Sequence, residues 1–117
     1  MHDTLIELAT RDGICVIKVG SEIDIANAGT LARYIDEACA GAEKVIVSLE
    51  PCRYIDSSGL RHLIRLAARL GEDLFLVVPP GAQIRRIFEL TGMTEYMRVC
   101  DTLAEAELAA RRKVEAL

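Results

Sequence analysis

Strand-like and helix-like spacings of apolar residues follow one another along this chain. Apolar runs at residues 5–8 and 14–19 have the composition of strands, and the segment between them contains Asp12-Gly13. An Asp-Gly step between two such runs is a strong signal for a tight turn. The N-terminal part therefore predicts an antiparallel β-hairpin.

Beyond the hairpin the spacing of apolar residues becomes helical. One face of a first predicted helix carries Ala28, Leu31, Ile35 and Ala38. This helix is expected to stop near Gly41. Nearly unbroken aliphatic runs at 45–49 and 74–78 predict strands that are covered on both faces.

The second predicted helix, residues 57–70, lies between those two strands and is followed by Gly71. Its predicted buried stripe consists of Leu60, Leu63, Ile64 and Ala67. A short third helix is expected to end near Gly92, and a brief strand is predicted at 96–99. The segment 102–105, with Thr first and Glu last, has capping-box spacing and predicts the start of a last helix.

The resulting order of elements is β-β-α-β-α-β-α-β-α. Strands that alternate with helices favour parallel pairing. We therefore predict a single α/β domain over residues 1–117. It should have a mixed, mainly parallel sheet of about four or five strands, an N-terminal β-hairpin and about four helices.

Composition limits the possible functions. The chain has 117 residues, 51% of them hydrophobic, and its 14 basic and 18 acidic residues give a formal net charge of −4. A net acidic domain is a poor candidate for general nucleic-acid binding, which depends on clustered basic charge. No apolar run approaches the ~18–20 residues that a membrane span requires. The first four residues lack the basic start of a secretion signal, so a cytoplasmic protein is expected.

Metal, redox and catalytic motifs are missing from the sequence. The cysteines are Cys15, Cys39, Cys52 and Cys100. None of them forms a C-x-x-C pair, so each is predicted to be a buried small hydrophobic side chain. His2 and His62 alone cannot hold a zinc ion, and there is neither a G-x-S-x-G elbow nor a glycine-rich nucleotide loop. We expect no catalysis, no cofactor and no metal site.

The most informative segment is the junction Asp56-Ser57-Ser58-Gly59 at the start of the second predicted helix. Sites in parallel α/β sheets gather beyond the carboxyl ends of strands. Asp56 and Ser57 are good caps for helix N–H groups, and Gly59 keeps side-chain bulk away from the helix start. A helix N-terminus also accommodates an anion, so a hydroxyl placed here could carry a phosphate. On local chemistry alone a plain capping role is the simpler interpretation.

The hexapeptide Ile-Asp-Ser-Ser-Gly-Leu at 55–60 resembles the signature of STAS domains, the sulfate transporter and anti-sigma factor antagonist family. Glu22-Ile23-Asp24 resembles the G-E-x-D turn of that family, although Ser21 stands in place of its glycine. Residues 79–93 resemble its third helix and the following loop. The resemblance covers essentially the whole chain, and it implies a central sheet packed by helices in a stand-alone member of the family.

The resemblance also implies a function. In bacterial anti-sigma factor antagonists the first serine after the Asp is phosphorylated, which corresponds to Ser57, with Ser58 as the alternative. The unphosphorylated protein would bind an anti-sigma factor, itself a serine kinase of the histidine-kinase-like ATPase type, and so release a sigma factor. Phosphorylation from ATP would switch the antagonist off, and a serine phosphatase would restore it. The predicted partner-binding residues are Asp24, Asp56, Ser57, Ser58, Gly59 and Arg61.

Several alternatives stay open. Arg61, Arg65 and Arg69 recur along one helix face, either as a solvated face or as a basic stripe for an acidic partner. Asp24 is either a cap of the first helix or part of the partner surface. The second functional hypothesis is a STAS scaffold subunit of a stressosome or of a phospholipid-transport ABC complex, with Ser57 only a cap. Direct nucleotide binding is a third and weaker hypothesis, and a monomer is expected.

Overall fold

The fold comes from a computed structural model that describes the backbone of residues 5–115 and the side chains of residues 9–20 and 22–112. Its strands are β1 (Leu5–Arg11), β2 (Ile14–Val19), β3 (Ser21–Ile23), β4 (Lys44–Ser48), β5 (Cys52–Ile55), β6 (Leu74–Val77) and β7 (Arg98–Cys100). Its helices are α1 (Ala28–Ala38), α2 (Ser57–Leu70), α3 (Gln83–Leu90) and α4 (Leu103–Glu115).

The predicted N-terminal hairpin is confirmed. β1 pairs with β2 in antiparallel fashion, with Arg11 opposite Ile14. Asp12 and Gly13 between them have φ angles of 54° and 79°. Positive φ at both central residues is the geometry of the tight turns that match strand twist.

The main sheet has the strand order β1-β2-β4-β6-β7, and its pairs from β2 onward are parallel. Every residue of β4 and β6 is buried, because helices cover both faces of the sheet. α1, α2 and α3 contribute to one core cluster, whereas α4 packs Ala106 and Ala110 with Phe75 on the opposite face. The predicted mixed, mainly parallel α/β sheet with four helices is confirmed.

A separate two-stranded sheet was not predicted. β3 and β5 pair in parallel, with Ile23 opposite Ile55. These strands have only three and four residues. Such short segments show no periodicity, and each finds its partner far away along the chain, so the sequence carries no local signal for the pairing.

Two further details of the prediction are wrong. Ile64, placed by its spacing on the buried stripe of α2, is 46% exposed, and Leu66 is buried instead. Tyr96, placed in the last strand, is 83% exposed and precedes β7. The bounds of α2 agree with the prediction, because strong signals mark both of its ends. Asp56 caps its start, and Gly71 follows its end with a φ angle of 56°.

Candidate functional site

The small β3–β5 sheet brings together two loops that are distant in sequence. Its strands run parallel, so the segments that follow them leave from the same end of the sheet. The N–H of Asp56 donates to the carbonyl oxygen of Ile23 at 3.0 Å, which continues the pairing beyond the strand. The start of α2 and the loop between β3 and α1, residues 24–27, are therefore neighbours.

The Asp56 side chain joins these two segments. One carboxylate oxygen, Oδ1, accepts the N–H of Gly59 at 3.0 Å and so caps α2, as predicted. The other oxygen, Oδ2, accepts the N–H of Ile25 in the β3–α1 loop at 3.0 Å. The sequence gives no indication of this second bond, because the bond depends on the unpredicted β3–β5 pairing.

The two serines that follow Asp56 lie in the first turn of α2. Ser57 is exposed and Ser58 is half-buried. Ser57 is the first residue of the helix and not its cap, since Asp56 holds that position. Within the described part of the chain, neither serine side chain has a hydrogen-bond partner, so the Ser57 hydroxyl can be modified without breaking a native bond.

Gly59 is buried and allows α2 to pack closely against the small sheet. A Cβ atom added at Gly59 would lie 2.6 Å from Cγ1 of Ile55 and 2.7 Å from Cγ2 of Ile23. Such distances are far below ordinary van der Waals contact. The glycine is required for packing beneath the site, and not for keeping the helix start open as its position in the sequence suggested.

Asp24 shapes the turn that leads into α1. Its carboxylate accepts the N–H of Ala26 at 2.9 Å, and its backbone carbonyl accepts the N–H of Ala28 at 2.8 Å. The residue immediately before α1 is Asn27, whose side-chain oxygen accepts the N–H of Asp24 at 2.9 Å. Asp24 therefore organises the turn ahead of the helix and is not its N-cap. The same turn holds the side chain of Ile25 81% exposed.

The three arginines of α2 differ in their surroundings. Arg69 forms an ion pair with Asp36 of α1. Arg61 and Arg65 are exposed, and neither has an ion-pair partner among residues whose side chains are described. All three arginines lie on α2, so the predicted spacing along one helix is confirmed. Of the three, only Arg61 and Arg65 have no ion-pair partner among the described side chains.

Burial raises the pKa of three of the four thiols. Cys15 and Cys52 are buried as predicted, whereas Cys39 and Cys100 are only half-buried. Burial is the largest cause that raises the pKa of Cys52 and of Cys100. Burial, followed by a hydrogen bond with Cys15, raises the pKa of Cys39. These thiols therefore keep their protons at neutral pH.

The described residues hold neither a candidate metal site nor a candidate membrane span. Those residues contain no cluster of three or more His, Cys, Asp or Glu that could hold a metal ion; His2 lies outside them. Across residues 5–115 no helix combines the length and the apolar character needed to cross a membrane.

The sequence and the fold are both similar to those of known proteins. The family model described as STAS domain matches residues 6–106. The anti-sigma-F factor antagonist RsfB of Mycobacterium tuberculosis is 29% identical over 108 residues, which cover 91% of this chain and 88% of that protein. The anti-sigma-B factor antagonist of Staphylococcus aureus is 29% identical over 97 residues, covering 80% and 90%. The crystal structure of an anti-sigma factor antagonist from Mycobacterium paratuberculosis superposes with a TM-score of 0.81 at 28% identity, covering 92% of this chain and 93% of that one.

Proposed function

This chain belongs to the STAS domain family, and we propose from that premise that it is an anti-sigma factor antagonist controlled by phosphorylation of Ser57. The observation that carries the proposal is the exposed, unbonded Ser57 hydroxyl at the start of α2, beside the capping Asp56. The names of the relatives support the same class of function.

The proposed cycle has two states. Unphosphorylated protein binds an anti-sigma factor that is also a serine kinase, and the sigma factor is released. The kinase then transfers the γ-phosphoryl group of ATP to Oγ of Ser57, which gives phosphoserine and ADP and ends the complex. A serine phosphatase hydrolyses the phosphoester and returns the free hydroxyl. The protein is a substrate and a binding module in this scheme, and it catalyses no step.

Electrostatics explains why the phosphate would act on the partner and not on the fold. A phosphoserine adds roughly −1.5 to −2 charges next to the carboxylate of Asp56. The N-terminus of α2 tolerates that charge, because helix N–H groups and the helix dipole favour anions there. A partner pressed against the same surface must desolvate the added charge. A coupling of ~1–3 kcal/mol between the two events would change affinity by about 5–150-fold.

The partner surface we propose surrounds Ser57 on both connected segments. Ile25 offers an exposed apolar side chain on a loop that Asp56 holds in place. Asp24, Ser58 and Arg61 complete the predicted surface. Gly59 is buried, so its contribution is indirect, through the close packing of α2. Such a protein would act in the cytoplasm as a monomer.

The decisive experiment compares Ser57→Ala and Ser57→Asp as baits in lysate of the source organism, with mass spectrometry of the captured proteins. We expect the Ala variant to retain a histidine-kinase-like ATPase and the Asp variant to lose it. Thr10→Ala and Thr10→Asp, at an exposed position of β1 outside the proposed surface, form the matched control pair and should both retain that protein. Equal capture by both Ser57 variants, with both folded, would overturn the switch. Recovery of the same transporter or stressosome components by both would identify a scaffold subunit instead.

A direct assay follows from the same proposal. The captured kinase, incubated with ATP, should phosphorylate wild-type protein and the Ser58→Ala variant but not Ser57→Ala. Intact-mass measurement would show the added phosphoryl group. Labelling of Ser57→Ala would move the modification to Ser58.

A further inference from the structure

A groove of about 240 Å³ lies between α1 and α2. Its α1 wall includes the small residues Ala28, Gly29 and Ala32 as well as Leu31 and Ile35. The facing wall includes Leu63 and Leu66 of α2. Where the α1 residues are small, the two helices leave space between them that larger side chains would fill. The groove is therefore mainly apolar and open to solvent.

One end of this groove reaches the proposed switch. Gly59, in the first turn of α2, and Ile23, on which that turn packs, also line the groove. Ser58, His62, Arg65 and Arg69 follow one another at spacings of three or four residues and so share one face of α2. The last three of these residues line the groove, which places Ser58 at its head.

The rim of the groove is basic although the chain as a whole has a net charge of −4. The lining residues that carry full charges are Arg33, Asp36, Arg65 and Arg69. Arg69 and Asp36 neutralise each other as an ion pair across the groove. Arg33 and Arg65 are exposed, and no carboxylate pairs with either one in the described part of the chain.

We propose that this groove binds an acidic segment of the anti-sigma partner, with an apolar side chain between the helices and carboxylates beside Arg33 and Arg65. The inference rests on the function proposed above and extends its surface along α2. Charge complementarity selects an acidic segment. Because the groove is continuous with the proposed surface around Ser57, a partner bound at that surface can also reach the groove. The anti-sigma partner is therefore a better candidate than an unrelated protein.

Gly29 makes the groove testable without disturbing the fold. The nearest heavy atom to an added Cβ would be Nε2 of His62, at 4.0 Å, so the helix has room for a larger residue. Gly29→Leu should fill the groove. Gly81→Leu is the matched control, because an added Cβ there meets nothing within 4 Å. Arg65→Glu reverses the charge of the rim, and Arg111→Glu on α4, which covers the opposite face of the sheet, is its control.

The measurement is the dissociation constant for the purified kinase captured by the Ser57→Ala bait, by titration calorimetry. We expect Gly29→Leu and Arg65→Glu each to weaken binding by about tenfold or more, the scale of a central interface residue. The control variants should stay within about twofold of wild type, as expected for surface changes outside an interface. Thermal unfolding of each variant excludes loss of fold, and Arg65→Glu, an exposed and unpaired position, keeps the test valid if Gly29→Leu is destabilised.

Other outcomes are distinguishable. If the groove variants bind like wild type while Ser57→Asp does not bind, the groove inference fails and the proposed function stands. If Ser57→Asp binds like Ser57→Ala, the proposed function fails. Concentration-dependent dimerisation that Gly29→Leu abolishes would assign the groove to a second copy of this chain. If the groove binds decanoate saturably, and Gly29→Leu abolishes that binding but leaves the kinase affinity unchanged, the groove would be assigned to a small apolar acid. Either the dimerisation result or the decanoate result overturns the inference.

Discussion

The two oxygens of the Asp56 carboxylate accept N–H groups from different segments, Gly59 in α2 and Ile25 in the β3–α1 loop. A single side chain thus holds the capped helix end and the exposed Ile25 in a fixed relation. Loss of the carboxylate removes both bonds, whereas an amide retains one acceptor oxygen and loses the other. This difference separates the two functions of Asp56 experimentally.

We expect Asp56→Ala to lower the free energy of unfolding by about 2 kcal/mol and Asp56→Asn by about 1 kcal/mol, because the amide can accept only one of the two N–H groups. Urea unfolding at neutral pH measures both. Asp12→Asn removes the same charge at an exposed turn position and should change stability by less than about 0.5 kcal/mol. Equal losses for Ala and Asn would mean that charge, and not the two bonds, is the stabilising factor.

Gly59→Ala should be destabilising by about 1–3 kcal/mol, because its Cβ must displace Ile55 and Ile23 or shift α2. Gly29→Ala is the matched change in α1, where the added methyl has room. It should be neutral or stabilising by up to ~1 kcal/mol, since alanine favours a helix more than glycine. Thermal unfolding of the pair checks this, and similar losses at both positions would contradict the steric explanation.

Among the secondary-structure elements, two arginines connect helices to their surroundings in different ways. Arg69 on α2 reaches Asp36 on α1, and both side chains are about half exposed. Arg85 on α3 is only 17% exposed. It donates to the carbonyl oxygen of Val78 at 2.6 Å and to the carboxylate of Asp101 at 3.0 Å, which joins α3 to the ends of β6 and β7.

This difference predicts unequal costs of removing the two side chains. Arg69→Ala should cost less than about 1 kcal/mol, because an exposed ion pair is weakened by solvent and salt. Arg85→Ala should cost about 2–3 kcal/mol, because it leaves Asp101 without its cation and a carbonyl without its donor. Chemical unfolding in 50 mM and 500 mM salt would compare them. A larger loss for Arg69→Ala would show that α1 and α2 depend on their ion pair more than on their apolar contacts.

The elements that the sequence predicts well are those with their own signals. The bounds of α2 follow from Asp56 and Gly71, and the buried β4 and β6 follow from unbroken aliphatic runs. β3 and β5 could not be predicted, because three or four residues carry no period and their partners are remote. Ile64 shows the limit of helical spacing as a guide to burial, since the position of the neighbouring elements decides which part of an apolar stripe is covered.

For the molecule as a whole, the buried thiol of Cys52 makes the stability of the fold depend on pH in the alkaline range. Burial is the main cause that raises the pKa of Cys52 above its ordinary value of 9.0. Well below pH 9.0 folded and unfolded chains both keep this proton, and the full stability is present. Above it the unfolded chain releases the proton first, so stability falls as pH rises toward the pKa of the folded state.

We therefore expect the free energy of unfolding to fall as pH rises above about 9, and to fall less steeply in Cys52→Ala. The variant is less stable at neutral pH because of the cavity it creates, so the slopes and not the absolute values are compared. Urea unfolding at several pH values provides both slopes. Parallel slopes would assign the alkaline loss to other groups.

The site itself could be predicted from the sequence only in part. Asp56, Ser57 and Ser58 are candidates from the sequence because they lie together in one motif at a helix start, and the structure places them there. The second bond of Asp56, the exposed Ile25 and the groove beside Gly29 arise from elements that only folding brings together. The sequence singled out Gly59 but did not show why a glycine is needed there. The two isoleucines on which it packs belong to the unpredicted sheet.

The exposed Ser57 hydroxyl, which has no hydrogen-bond partner among the described residues, has a consequence for the rate at which the protein is degraded in a cell. Proteases and quality-control factors act on the fraction of a protein that is unfolded at a given moment. The phosphorylation proposed at Ser57 would break no native contact of the described residues, so that fraction should be similar for both forms. Both forms should therefore be degraded at the same rate. In the proposed cycle the proportion of active protein would then depend on the proposed kinase and phosphatase alone, and the effect of a past signal could be reversed without new synthesis.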